Sequence, residues 1–117
     1  MKNLRDEFLG KTTDWEEKLN EDEWFFSKLE EELTFGLTAE ECFNLIPQIV
    51  QLTMEQRNEY LCLMSFELLF TLSRKSRTTE IPVLLEANWD QLINHVSGFS
   101  DYHKNQVKEF ALWYRKK

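Results

Sequence analysis

One segment of the chain, residues 54–73, is apolar on almost every side when it is read at helical spacing. Its large apolar side chains are Tyr60, Leu61, Leu63, Met64, Phe66, Leu68, Leu69, Phe70 and Leu72. In a globular protein, a helix that is apolar all round is a buried helix. We therefore predict that this helix lies at the centre of the core.

The rest of the sequence also favours helices. Only three glycines and two prolines occur in 117 residues, which leaves few tight turns for a β-rich fold. Capping boxes at the start of helices are predicted at Thr13–Glu16, Thr38–Glu41 and Thr53–Gln56. We predict a single all-α domain over residues 1–117, built as a compact bundle of about six or seven short antiparallel helices.

Turn residues and prolines predict further helix boundaries. Pro47 lies inside the helix that follows Thr38 and should break or kink it. The apolar stripe of residues 14–33 fits one helix, or two helices with a break near Asn20. The remaining predictions are helix ends at Gly36 and Gly98, helix starts at Pro82, Asn88 and Ser100, and a loop at 73–80.

A shift of 47 residues aligns apolar positions in two parts of the chain. Leu45, Ile46 and Ile49 then coincide with Leu92, Ile93 and Val96. Repeats of about this length, each made of two helices, are typical of HEAT and armadillo proteins, so the alignment suggests two HEAT-like helical pairs. The alternative is that any two amphipathic helices can be aligned at their apolar positions.

The negative charge is concentrated in the first third of the chain. Residues 1–41 contain thirteen acidic and five basic residues, a net charge of −8, whereas the remaining residues have a net charge of +1. An acidic surface attracts a basic protein and repels nucleic acid and anionic lipid. We therefore expect a basic protein partner, no nucleic acid and no membrane, with the chain acting as a monomer or in a 1:1 heterocomplex.

The acidic segment also contains a tryptophan with acidic neighbours. On an uninterrupted helix, Trp24 would point away from Phe26 and be framed by carboxylates, as an interface anchor is framed by a polar rim. If the helix breaks near Asn20, Trp24 would instead pack inward. The predicted partner-binding residues are Glu16, Glu17, Glu21, Asp22, Glu23, Trp24, Glu30 and Glu31.

Catalytic and metal-binding patterns do not emerge from the sequence. It contains no phosphate-binding glycine loop, no CxxC and no HExxH. Cys42 and Cys62 have apolar neighbours and are predicted to be reduced core residues. His95 and His103 are interpreted as surface or capping histidines, and Glu67 as a solvated or arginine-paired carboxylate. We predict no enzymatic activity, no cofactor and no metal.

The chain resembles the bacterial immunity proteins of contact-dependent growth inhibition and related polymorphic-toxin systems. The resemblance lies in the acidic runs Glu21-Asp22-Glu23 and Glu30-Glu31-Glu32, the helix of residues 59–70 and the Trp113-Tyr114 end. It implies a cytoplasmic protein that neutralises a cognate basic toxin domain by covering its active site, with a nuclease expected and an RNase favoured over a DNase. The absence of an apolar leader at the N-terminus also favours the cytoplasm.

Two other functions remain open at the level of sequence. The first is an acidic helical adaptor or regulatory module that docks on a basic face of a transcription or translation protein. The second is an enzyme that uses a buried Glu67 or His103. The immunity protein is the favoured interpretation because of the resemblance, and a gene that directly follows a toxin gene would distinguish it from the adaptor.

Overall fold

The computed structural model describes residues 2–116, so Met1 and Lys117 of the predicted domain lie outside the described residues. It contains eight helices: α1 (Leu4–Lys11), α2 (Trp15–Glu21), α3 (Phe25–Thr34), α4 (Ala39–Glu55), α5 (Glu59–Lys75), α6 (Val83–Ala87), α7 (Trp89–Ser97) and α8 (Asp101–Trp113). No strand occurs within this range. The all-α prediction is confirmed, with one helix more than expected.

The additional helix is α1. The side chain of Asn3 caps it by accepting a hydrogen bond from the Asp6 amide at 3.0 Å. Its two buried side chains, Leu4 and Phe8, are four residues apart and therefore lie on one face. The side chain of Gln48 in α4 accepts a hydrogen bond from the Leu4 amide at 2.8 Å. Two apolar residues were too few to predict this helix, and its packing against α4 stabilises it.

Two of the three predicted capping boxes are wrong. The hydroxyl of Thr13 donates back to the carbonyl of Gly10 at 3.1 Å, at the end of α1. Thr53 lies inside α4, where its hydroxyl donates to the Ile49 carbonyl at 2.7 Å. The helix predicted to start there, α5, is capped instead by Asn58. A threonine hydroxyl can bond a carbonyl behind it as well as an amide ahead, and the local sequence does not distinguish the two.

Helix α4 confirms the capping box at Thr38 and contradicts the break at Pro47. The Thr38 hydroxyl accepts from the Glu41 amide at 3.1 Å, and the Glu41 carboxylate accepts from the Thr38 amide at 2.9 Å. The helix then continues through Pro47 to Glu55. Proline costs a helix about 3 kcal/mol. Burial of the seven side chains that α4 places in the core offsets this cost.

The core is built around α4 and α5. Helix α5 has ten buried residues and α4 has seven, so the prediction that α5 is the most buried helix is confirmed. These two helices pack on each other, and α4 also contacts α1, α6 and α7. The ring of Phe66 in α5 lies 5.0 Å from that of Phe110 in α8. The radius of gyration, 13.6 Å, is close to the value of about 13 Å expected for a compact chain of this length.

Two helical pairs follow each other along the chain, α4 with α5 and α7 with α8, and α4 contacts α7. The positions aligned by the 47-residue shift include Leu45 and Ile49 in α4 and Leu92 and Val96 in α7, and all four are buried. The pairs are therefore present, and their origin as a repeat stays a prediction. The predicted loop at 73–80 starts later, because α5 continues to Lys75.

The other predicted boundaries agree with the helices. Gly36 follows the end of α3 with φ +74°, a conformation that glycine adopts at little cost. Gly98 ends α7, and Pro82 immediately precedes α6. The Ser100 hydroxyl caps α8 by accepting from the His103 amide at 3.2 Å. Asn88 precedes α7 as predicted, although its side chain donates to the Leu84 carbonyl and not into the new helix.

Candidate functional site

A turn separates α2 from α3, and the side chain of Asp22 stabilises it. Its carboxylate accepts a hydrogen bond from the Trp24 amide at 3.0 Å and pairs with the Lys28 ammonium at 2.6 Å. The Lys28 ammonium and the Trp24 amide hold the pKa of Asp22 below its usual value. Of the two alternatives for residues 14–33, two helices are confirmed. The first helix ends at Glu21, and the break lies at Asp22, two residues after the predicted position at Asn20. The turn at Asp22 fixes the direction in which Trp24 points.

The three consecutive aromatic side chains that follow Glu23 differ in how far they are exposed to solvent. Trp24 is 61% exposed, Phe25 is half-buried and Phe26 is 7% exposed. The Phe26 ring packs against Tyr60 of α5 at 5.4 Å and Trp15 of α2 at 6.2 Å. The expectation that a break would turn Trp24 inward is therefore wrong, because Phe26 occupies the inward position.

Five of the predicted carboxylates are exposed, and none of them pairs with a cation of residues 2–116. Within residues 2–116, no ion pair shorter than 4.0 Å involves Glu16, Glu17, Glu21, Glu23 or Glu31. We call these five glutamates together with Trp24 the acidic surface. It consists of a large exposed aromatic side chain and carboxylates that the fold leaves free to meet a cation.

Among residues 2–116, no lysine of α1, α2 or α3 forms an ion pair with a carboxylate of the acidic surface. Lys11 pairs with Glu32 at 3.1 Å, and Lys28 pairs with Asp22. The ammonium of Lys18 donates to the Lys11 carbonyl at 3.1 Å. The local negative potential around the five glutamates is therefore available to an incoming partner.

The prediction that Glu30 lies on the partner-binding surface is not supported by its contacts. It faces α5, where the Thr71 hydroxyl donates a hydrogen bond to its carboxylate. Burial raises the pKa of Glu30, and the hydrogen bond from Thr71 only partly opposes that effect. Of the eight predicted residues, six form the acidic surface, whereas Asp22 and Glu30 are bonded within the fold.

Both histidines form hydrogen bonds to backbone carbonyls near the junction of α4 and α5. The His95 ring donates from Nε2 to the Gln56 carbonyl at 2.8 Å. His103 is 2% exposed, its Nε2 donates to the Glu59 carbonyl at 3.0 Å, and its Nδ1 pairs with the Ser100 hydroxyl at 2.6 Å. These bonds tie α7 and α8 to the central pair, so both histidines have structural roles.

The remaining chemically reactive side chains are either shielded or isolated. Cys42 and Cys62 are free and buried, which confirms that prediction. Burial raises the pKa of the Cys62 thiol to about 12, so it stays protonated and unreactive at neutral pH. No group of three or more potential ligands able to hold a metal occurs in the described part of the chain.

Glu67 is half-buried on α5. Burial raises its pKa, and the nearby negative charge of Glu30 raises it further. Of the two predicted environments, an arginine pair is absent from residues 2–116, where Glu67 has no ion pair shorter than 4.0 Å, and the carboxylate is half-buried and not fully solvated.

No helix among residues 2–116 combines the length and apolar character that a membrane crossing requires. Comparisons of the chain with protein-family models, curated proteins and solved structures found no match.

Proposed function

We propose that this protein is an immunity protein that binds a cognate basic toxin domain in the cytoplasm and neutralises it by covering its active site. One observation carries the proposal: the 61% exposed Trp24 lies in the turn between α2 and α3, and these two helices with their turn also hold five exposed glutamates that have no ion pair within residues 2–116. The proposed toxin is a nuclease, with an RNase favoured over a DNase.

Charge and the anchor residue have separate roles in this proposal. The glutamates steer a basic partner toward the surface, which raises the association rate. Trp24 then loses its exposed area to the partner and slows dissociation, as aromatic residues at the centre of interfaces commonly do.

A nuclease suits the surface because its active site must bind phosphates. Such a cleft is lined with cations, and an acidic protein that covers it competes directly with the nucleic acid. Inhibition of this kind requires only binding. It is therefore compatible with a fold in which both histidines are bonded internally and both cysteines are buried.

The proposal is tested by capture followed by an activity assay. Tagged protein is used to isolate basic proteins from its own source, and each is assayed on RNA and on DNA. We expect one captured protein to be a nuclease and this chain to abolish its activity at a 1:1 ratio. Capture of a ribosomal or polymerase subunit without nuclease activity would contradict the proposal and support the adaptor.

A further inference from the structure

A cleft separates α3 from α5 next to the acidic surface. Its cavity volume is about 160 Å³, and its apolar lining includes Phe26 and Leu29 from α3 and Tyr60 and Met64 from α5. An apolar cavity of roughly 150 Å³ is large enough to bind benzene. The cleft can therefore accept a planar group of similar size.

Two carboxylates line opposite sides of this apolar cleft. Glu30 belongs to α3 and Glu67 to α5, and both line the cavity. Burial raises the pKa of each group, and the positive charge of Arg74 opposes this effect only in part. Glu30 accepts a hydrogen bond from Thr71, and Glu67 has no hydrogen-bond or ion-pair partner in residues 2–116.

Arg74 lies near both carboxylates and lines a second cavity with them, but its guanidinium is held by other contacts. The guanidinium of Arg74 lies over the Phe70 ring, 4.4 Å from its centroid, and its Nη2 is 3.4 Å from the Thr71 hydroxyl. It forms no ion pair shorter than 4.0 Å with either carboxylate. The cleft thus combines apolar walls with negative charge that a cation from outside the fold would complement.

The aromatic side of the cleft is held in place by neighbouring rings. Tyr60 stacks on Trp15 with ring centroids 5.3 Å apart, and Phe26 meets Tyr60 edge-on at 5.4 Å. A preorganised aromatic wall favours a flat, weakly hydrated cation over a compact ammonium.

We propose that the cleft receives one arginine side chain of the basic partner, with its guanidinium between Glu30 and Glu67 and its methylene groups against the apolar walls. This inference rests on the proposed function, because it assumes a basic protein partner. Arginine is assigned over lysine because its planar guanidinium can donate to two carboxylates while it lies against aromatic rings.

The location of the cleft links it to the acidic surface. Glu23 lines the cavity and is also one of the five unpaired glutamates, directly next to Trp24 in the chain. A partner that covers Trp24 would therefore place its neighbouring side chains at the cleft. The arginine and the tryptophan would be two adjacent anchors of one interface.

Protonation of the cleft should weaken arginine binding. A bound guanidinium favours the ionised form of Glu67, so binding lowers its pKa and releases a proton. Affinity should therefore fall as the pH falls through the raised pKa of Glu67. The other groups facing the cleft are Glu23 and Glu30 from the α3 side and Tyr60 and Arg74 from α5. Among these, burial raises the pKa of Tyr60, so its hydroxyl stays neutral in that range.

The test uses the complete protein and a small probe, N-acetyl-arginine methylamide. Carboxyl carbon NMR of the glutamates follows its binding, and the uncharged citrulline analogue and the lysine analogue are compared. We expect saturable shifts at Glu30 and Glu67, a lowered titration midpoint for Glu67, and affinity at least about threefold weaker for the lysine analogue. Equal affinity for citrulline or lysine, or shifts confined to Glu16 and Glu17, would overturn the inference.

A matched pair of variants separates the cleft from general surface charge. Glu67→Gln should weaken binding of the arginine probe by about fivefold and reduce its pH dependence, with Glu30 accounting for the remainder. Glu109→Gln, at an exposed glutamate of α8, should change neither. Equal effects of the two substitutions would contradict the inference. Because the probe assay needs no toxin, its failure leaves the proposed function standing, and a failure to find a nuclease partner leaves the probe result standing.

Discussion

At the scale of single residues, the difference between Trp24 and Phe26 arises from the turn at Asp22. The two side chains have similar apolar character, yet one is 61% exposed and the other 7%. Asp22 bonds the Trp24 amide and ends α2, so the helical register restarts at Phe25. Phe26 then points to Tyr60 and Trp24 points to solvent.

Replacing Trp24 should affect binding more than stability. Trp24→Ala removes only the smaller, buried part of the side chain, so the free energy of unfolding should fall by no more than about 2 kcal/mol, less than for a core aromatic. The dissociation rate from the captured partner should rise by a factor that corresponds to about 2 kcal/mol or more. Urea unfolding and surface plasmon resonance measure the two quantities.

The matched control for Trp24 is its buried neighbour. Phe26→Ala should cost about 3–5 kcal/mol of stability, because it opens a cavity in the core. If Trp24→Ala instead destabilises the protein as much as Phe26→Ala and leaves the affinity of the folded fraction unchanged, Trp24 is a core residue and not an anchor.

Glu67 should make stability depend on pH in an unusual direction. Its pKa in the folded protein is raised, so the ionised form destabilises the fold, and this penalty disappears as the pH falls below the unfolded pKa of about 4.3. Glu67→Gln should therefore be more stable than the natural sequence at pH 7. The difference should shrink as the pH falls through the raised pKa.

Urea midpoints measured from pH 7 to pH 4 test this prediction. Asp22 and Glu41 have the opposite effect, because their pKa values are lowered in the folded protein. They stabilise the fold above their unfolded pKa values, and this stabilisation is lost as the pH falls. Both residues are present in the natural sequence and in Glu67→Gln, so their contributions largely cancel when the two proteins are compared. Stability curves of the natural sequence and Glu67→Gln that stay parallel over this range would show that the Glu67 carboxyl is solvated.

At the scale of helices, capping depends on what precedes the cap. Thr38 follows the turn at Gly36 and has an extended backbone, so its hydroxyl is free to bond forward to Glu41. Thr13 follows directly on α1, and its hydroxyl bonds back to the carbonyls of that helix. The same residue type at the same sequence spacing therefore caps one helix start and not the other.

A pair of alanine substitutions should separate these two threonines. Thr38→Ala should lower the free energy of unfolding by about 1 kcal/mol, the usual cost of losing an N-cap. Thr13→Ala, at an exposed position that caps no helix start, should change it by less than about 0.5 kcal/mol. Chemical denaturation of both variants is the measurement. Equal losses would mean that Thr13 also acts as a cap in solution.

At the scale of the whole molecule, the acidic surface lies outside the two central helices. The α2–α3 segment carries the acidic surface, whereas α4 and α5 supply more than half of the buried side chains. The contacts of α3 with α1 and α5 hold the acidic surface on the core. Charge on α2 and α3 can therefore be changed with little effect on the packing of the central pair.

Charge reversal on the acidic surface should slow association. Changing Glu17, Glu21 and Glu31 to Lys should lower the association rate with the captured partner by at least about tenfold and reduce its dependence on salt. Changing Glu80, Asp90 and Glu109 to Lys gives the same net charge at exposed positions elsewhere. Stopped-flow rates measured across a salt series that are equal for the two triple variants would show that net charge, and not this surface, steers binding.

Local rules were enough for the features of the fold that depend on neighbours in the chain. The apolar spacing of α5 predicted its burial, and Thr38, Ser100 and Gly36 predicted helix boundaries that the structure contains. Each of these rests on interactions within a few residues, which the sequence displays directly.

Tertiary structure alone decided the features that depend on distant residues. Pro47 stays inside α4 because the surrounding core stabilises the helix through it, and Glu30 turns inward because Thr71, forty-one positions along the chain, offers it a hydrogen bond. The cleft is likewise formed by side chains of α3 and α5 that no local pattern connects. The sequence therefore determined seven of the eight helices and the distribution of charge, whereas packing between distant helices stabilised α1 and decided which carboxylates and aromatic rings face solvent.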